Sequence, residues 1–210
     1  MDTFTLNNGV FINITPRGAY YATQSNSEES TRTLLHTLLH YEETPPLTSD
    51  TLSELSSGNA EESMNLLHNM QNAKLISGHD KAESIQQGSL EDLLPSLLKD
   101  LSESGKVLLA EKSGLYLGAS GFPHEAAEEL AAISASLSEV YQRHKGLLQG
   151  NLGFSQHAWG LIDAAGNSEV GFWPLYVGNN QFTLVIDGMP QLNSPSFKHL
   201  IWVLIKRYGQ

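Results

Sequence analysis

The 210-residue sequence has no cysteine, which excludes disulfides and thiolate metal sites and leaves the redox compartment open. It is also poor in basic residues: 12 Lys and Arg face 23 Asp and Glu, a formal net charge of −11. Nucleic acid and anionic membrane attract the opposite balance, so neither is expected as a partner. No run is apolar over a bilayer's length; Leu200–Ile205, the longest near a terminus, falls far short. The N-terminal Met1-Asp-Thr-Phe-Thr-Leu has no basic region followed by an apolar core, so no secretory signal is expected and the chain reads as cytoplasmic. A G-x-x-x-x-G-K-[S/T] phosphate loop is also missing, so the chain is not itself a P-loop GTPase.

What is present is enough for packed cores, because 40% of residues are hydrophobic and only 17% charged. The most organised stretch is Gly105–Lys145. Lys106-Val-Leu-Leu-Ala-Glu and Leu115-Tyr-Leu-Gly-Ala-Ser flank a Lys112-Ser-Gly turn, and a hairpin is predicted there. A long helix from His124 follows. At 100° per residue its apolar face is Ala126, Leu130, Ile133, Leu137 and Val140, with Glu125, Glu128, Glu129, Glu139 and Arg143 opposite. Between them runs a stripe of small side chains, Ala127, Ala131, Ser134 and Ser138. Such a stripe either tolerates a helix surface or admits a second helix at close range. The second reading makes these four residues the expected homodimer interface.

Upstream, Val10, Ile12 and Ile14 alternate with polar and aromatic neighbours and precede Pro16-Arg-Gly and Ala19-Tyr-Tyr, predicting a hairpin over residues 3–23. Helices are predicted from Ser27, carrying Leu34, Leu35, Leu38 and Leu39 and ending before Pro45-Pro46, over Ser49–Ser56 with Gly58 closing it, and over Asn59–Leu75 with Met64, Leu67 and Met70 inward. Gly78-His-Asp-Lys reads as a turn. Strands plus three short helices resemble a winged-helix arrangement, and composition places its boundary near Gly88. That gives domains 1–88 and 89–210. Residues 1–88 hold four basic and eleven acidic side chains, a poor footprint for DNA.

In the second half a leucine helix begins near Ser89, with Pro95 inside it as a kink or a late start. Strands are predicted over His157–Ala164, Val170–Val177 and Gln181–Asp187, with Pro174 arguing an edge or a bulge. A last helix runs from Ser194, with Pro195 at its first position, to Tyr208. Its inner face is Phe197, Leu200, Ile201, Leu204 and Tyr208. Trp202 projects elsewhere, between Lys198 and Lys206. It is a candidate partner-binding anchor; the alternative is that it packs under the N-terminal domain.

No catalytic or metal signature emerges. His36 and His40 are four apart, but leucines interleave and no third ligand follows. His124-Glu-Ala-Ala-Glu is not H-E-x-x-H, Gly114, Gly118 and Gly121 lack dinucleotide spacing, and Gly118-Ala-Ser120-Gly121 misses the nucleophile elbow by one position. No cofactor and no enzymatic activity are expected.

The order helix, two strands, helix, three strands, helix over residues 89–210 resembles the Roadblock family. The residues that carry it are the leucine helix, Val107-Leu-Leu-Ala-Glu-Lys-Ser-Gly-Leu-Tyr-Leu-Gly-Ala-Ser-Gly and Glu125-Ala-Ala-Glu-Glu-Leu-Ala-Ala. Trp159, Trp173-Pro174 and Trp202 match no family feature. The resemblance implies an α+β fold with a five-stranded antiparallel sheet between helices. It also implies pairing of two copies through the long helix and an edge strand, as a platform for a small Ras-like GTPase or as an adaptor. Two other functions are weighed beside it, a transcription regulator with a DNA-binding N-terminal domain and a structural subunit of a motility or envelope assembly.

Overall fold

The computed structural model describes residues 9–55, 60–155 and 157–209. Its second half is built on a five-stranded antiparallel sheet in the order β4-β3-β7-β6-β5. The strands are β3 (Val107–Glu111), β4 (Tyr116–Ser120), β5 (Trp159–Ile162), β6 (Ser168–Val177) and β7 (Asn180–Asp187). Alternation along β3 and β7 gives the sheet two apolar faces. Leu108, Ala110 and Val185 pack towards helix α6 (His124–Lys145), whereas Val107, Leu109, Leu184 and Ile186 join the core formed with α5 (Leu90–Lys99) and α7 (Pro195–Tyr208). The mixed α+β architecture expected for 89–210 is thus present.

Local signals set these elements. Ser89 caps α5, its hydroxyl accepting from Asp92 N–H, and Ser194 caps α7 in the same way towards Phe197, with Pro195 in the first turn. Pro95 neither kinks α5 away nor delays its start; it sits on the exposed side and leaves one helical hydrogen bond unmade. Pro174 lies in an inner strand. However, β5 pairs only with residues up to Phe172, so at Pro174 the ladder has β7 as its one neighbour.

The first half departs from expectation at its start. Only Phe11–Ile14 is extended (β1); residues Pro16–Thr23 form helix α1, because Thr15 accepts from Gly18 N–H and Pro16 is pre-set for a first helical turn. The remainder of the expected hairpin, residues 3–8, lies outside the described residues. The partner of β1 is distant: β2 (Ile76–His79), which absorbs the expected Gly78 turn. Between them lie α2 (Ser30–His40), α3 (Ser49–Leu55) and α4 (Ala60–Asn72). Met70 and Leu67 of α4 face inward as expected, and Gly58 lies outside the described residues. A winged-helix arrangement is not shown, since its hairpin is replaced by α1. Gly18 has a steric duty here: an added Cβ would stand 2.0 Å from the Leu75 carbonyl oxygen.

α1 and α2 pack on α7, so one apolar core runs from Ile12 through Leu98 to Ile205. α7 is therefore buried on nearly every side, Phe197 and Leu200–Ile205 together.

Candidate docking surface

Helix α6 turns a different face inward from the one its hydrophobicity suggests. Ala127, Ala131, Ser134, Ser138 and Tyr141 are buried, and they lie over Leu108, Ala110, Phe172 and Val185 of the helix's own sheet. The sheet side is bulky, so small helix side chains let the layers approach. Both serines are satisfied locally: Ser134 donates to the Ala131 carbonyl at 2.7 Å, and Ser138 accepts from Gln181 Nε2 at 2.9 Å. The β3–β4 turn presses on the same helix, where a Cβ on Gly114 would lie 3.4 Å from that of Ala135. The four-residue stripe expected to meet a second copy is thus occupied inside the chain. The expected core face is only half used: Leu130 and Leu137 are partly buried against the same core, whereas Ile133 and Val140 are 46% and 39% exposed.

At the edge of the sheet lies β5, all of whose residues are exposed, with Trp159 across a small gap from Leu137 and Tyr141 of α6. Leu161 and Ile162 are 65% and 68% exposed, and the strand carries no charge. An uncharged apolar edge with free backbone groups is a template for pairing. Of the ten large hydrophobic residues that stand exposed among the described residues, seven fall within 140–162, so the exposed apolar surface is concentrated in one stretch. The same stretch, between Glu139 and Asp163, contains no acidic residue. Among the described residues, this is the strongest candidate for a contact site.

The stretch is tied down by His157. Its ring stacks on Tyr141 at 4.9 Å and meets Tyr176 edge-on at 5.6 Å. Burial first, and then the Lys145 charge, hold its pKa below the ordinary value, against the pull of a backbone hydrogen bond at Gln24. Burial, with Tyr141 adding, pushes the Tyr176 hydroxyl up to about 12. These groups stay neutral and act as packing.

Trp202, the other candidate contact residue, is 2% exposed. Its Nε1–H donates to the Tyr41 carbonyl at 2.9 Å, and its ring stacks on His199 at 6.1 Å. The N-terminal elements cover this side of α7, which is the physical reason it is not a free anchor. The sequence held the signal: Phe197, Leu200, Ile201, Trp202, Val203 and Ile205 make α7 apolar on every side, the mark of a helix buried all round. Next to it lies a charged cluster that residue spacing could not reveal. Buried Lys198 reaches Glu83 Oε2 at 2.5 Å and Asn13 Oδ1 at 3.2 Å, Asn13 also donates to Glu83, and His199 Nε2 lies 3.0 Å from Glu83 Oε1. It ties the segment after β2 and strand β1 to α7.

His36 is likewise engaged structurally, donating from Nε2 to the Ala22 carbonyl at 2.9 Å. Among the described residues no group of three or more His, Asp or Glu is placed to hold a metal ion, and no helix is long and apolar enough to cross a membrane.

No family model matches the sequence, and no curated protein matches it. Among solved structures, the chain is similar to a Roadblock/LC7 domain from Streptomyces avermitilis, at 13% identity and a TM-score of 0.39, over 55% of this chain and 92% of that one.

Proposed function

We propose that the chain is a non-enzymatic cytoplasmic adaptor that pairs with a second copy along β5 and the outer face of α6, and as a dimer scaffolds a small Ras-like GTPase. The observation that carries the reading is the uncharged apolar edge strand β5, whose Trp159 lines one gap with Leu137 of α6, together with the exposed Ile133 and Val140 of that helix. Charge supports the same pairing. α6 is about 33 Å long at 1.5 Å per residue, with Glu125, Glu128 and Glu129 at its start and Arg143 and Lys145 at its end. Two copies laid antiparallel set each acidic end beside the other's basic end, the self-complementary contact that two-fold symmetry requires. The GTPase comes from the Roadblock resemblance of residues 89–210, whose implied sheet and helix order matches the observed one.

Sedimentation velocity of the wild type, Ile133→Glu and Leu161→Glu tests the pairing. A wild-type dimer that both variants convert to folded monomer is expected. A wild type monomeric at high micromolar concentration overturns it. Capture of a P-loop GTPase from native extract by the wild type, and not by the monomeric variants, tests the platform role.

A further inference from the structure

After α6 the chain does not turn directly into β5. It continues as a π-helical segment, Gly146–Asn151, and an irregular stretch through Ser155. Single π-turns are rare and recur at functional sites. Leu147, Leu152 and Phe154 are each about half exposed on this segment, at 49%, 53% and 55%. The segment stands clear of the body: a Cβ added at Gly146, Gly150 or Gly153 would meet nothing within 4 Å. Its backbone is nonetheless paired internally, with Leu152 N–H on the Leu147 carbonyl and Phe154 N–H on that of Leu148, both at 2.9 Å. Immediately before it come three exposed residues, Arg143, His144 and Lys145. Neither Arg143 nor Lys145 is within ion-pair distance of a carboxylate among the described residues.

We infer that this segment is a peripheral docking tip for an anionic lipid surface. Three large apolar side chains on a turn that pairs part of its own backbone can enter the headgroup boundary while exposing fewer unpaired N–H and C=O groups than an open strand edge. A basic collar at its base then lies at the level of the lipid phosphates. The edge strand β5 lacks that property, because its outer backbone groups would lose water with nothing in return, so it suits a protein neighbour instead. The net charge of −11 argues against an anionic surface only as an average. The charge is polarised: every acidic residue lies outside 140–162, so an anionic plane orients the molecule with this tip towards it. The lipid contact shares Arg143 and Lys145 with the pairing proposed above, but its apolar side chains, Leu147, Leu152 and Phe154, are not those of Ile133 and Leu161, so the Leu152/Phe154 variant separates the two.

Co-sedimentation of the full chain with large vesicles decides it. Vesicles of phosphatidylcholine containing phosphatidylglycerol should retain the protein about tenfold better than phosphatidylcholine alone, with retention falling as salt is added. The double variant Leu152→Asp/Phe154→Asp should lose the retention, and Arg143→Gln/Lys145→Gln should lose the preference for the anionic lipid. Circular dichroism checks that each is folded. Hydrogen exchange of the wild type, read with and without vesicles, needs no variant: protection confined to 146–155 is the expected result. No retention above the vesicle-free control overturns the inference, as does retention unchanged in the Leu152/Phe154 variant. So does protection that maps elsewhere. If that variant dissociates a dimer and the wild type ignores vesicles, the segment serves self-association and the lipid reading is wrong.

Discussion

Replacing Ala131 by Glu places a carboxylate at a position with no exposed surface, over Leu108, Phe172 and Val185. The residues packed around it among those described are apolar, so the group must either enter as a charge, protonate, or push α6 off the sheet. Burying a polar group unpaired costs several kcal/mol, a large part of the ~5–15 kcal/mol by which a typical protein is stable. Ala131→Leu isolates the steric part, since overpacking a filled layer costs about 1–3 kcal/mol. For a chain of this size each kcal/mol moves the melting temperature by about 2–4 °C, so the leucine variant should melt about 2–12 °C lower. The glutamate variant should lose its cooperative transition or fall further still. Ile133→Glu, two positions along on the exposed face, should change stability by less than about 0.5 kcal/mol. Thermal unfolding by circular dichroism, at a concentration where the wild type and all three variants are monomeric, compares them. An Ala131→Glu protein that melts with the wild type, while Ile133→Glu does not, would mean that α6 faces the sheet with its other side.

Other sites give sharp expectations. Burial alone would raise the Glu83 carboxyl, but hydrogen bonds from Lys198 and Asn13 and the charges of Lys198 and His199 outweigh it and hold it below its ordinary 4.5. Its stabilisation is therefore complete above that value and lost as pH falls through the folded one. Glu83→Gln should cost about 1–3 kcal/mol at neutral pH by leaving buried Lys198 without its carboxylate, and urea midpoints measured against pH should show a flatter acid limb. Trp202→Ala should cost about 3–5 kcal/mol, whereas Trp202→Phe should cost about 1–3 kcal/mol for the abandoned Tyr41 carbonyl; a Trp202→Phe midpoint equal to the wild type's would remove the hydrogen bond from the account. His157 is held neutral by burial and by Lys145, so below 6.5 the unfolded chain binds the proton first and stability falls with pH. His36 and His199, both lowered by burial, act in the same window, so His157→Phe should remove part of that slope, and an unchanged slope would refute the assignment.

Legibility in the sequence followed the range of the interactions. β3, β4, α5 and α7 were readable because Gly114, Ser89 and the Ser194-Pro195 pair act within a turn of where they sit. β1 was readable as a strand, but its partner lies more than sixty residues away at Ile76–His79, and no local cue connects them. The second arm of the expected hairpin failed because Ala19-Tyr20-Tyr21 suits a strand only if Thr15 and Pro16 are ignored; a cap followed by a first-turn proline outweighs a short alternation. The Glu83–Lys198–Asn13 cluster was invisible for the same reason as the β1 partner, since its members come from three distant segments.

The candidate surface shows where the amphipathic rule itself breaks down. The rule assigns a helix's most apolar face to the core, and it assumes that the surface beneath can receive large side chains. Under α6 that surface already carries Leu108, Phe172 and Val185, and filling the layer to normal density leaves room mainly for Ala and Ser along the helix's centre line, with Tyr141 at its end and Leu130 and Leu137 at its rim. The aliphatic residues displaced by that choice have to lie elsewhere, and Ile133 and Val140 lie in water in the monomer. A helix that keeps its small face for the sheet and buries only half of its large apolar face has its burial incomplete until something covers the rest. The adjacent edge strand β5 is incomplete in the same sense, with one side of its ladder unpaired. Leu137 of α6 and Trp159 of β5 line one small gap, so a single partner lying across α6 and β5 can relieve both deficits together.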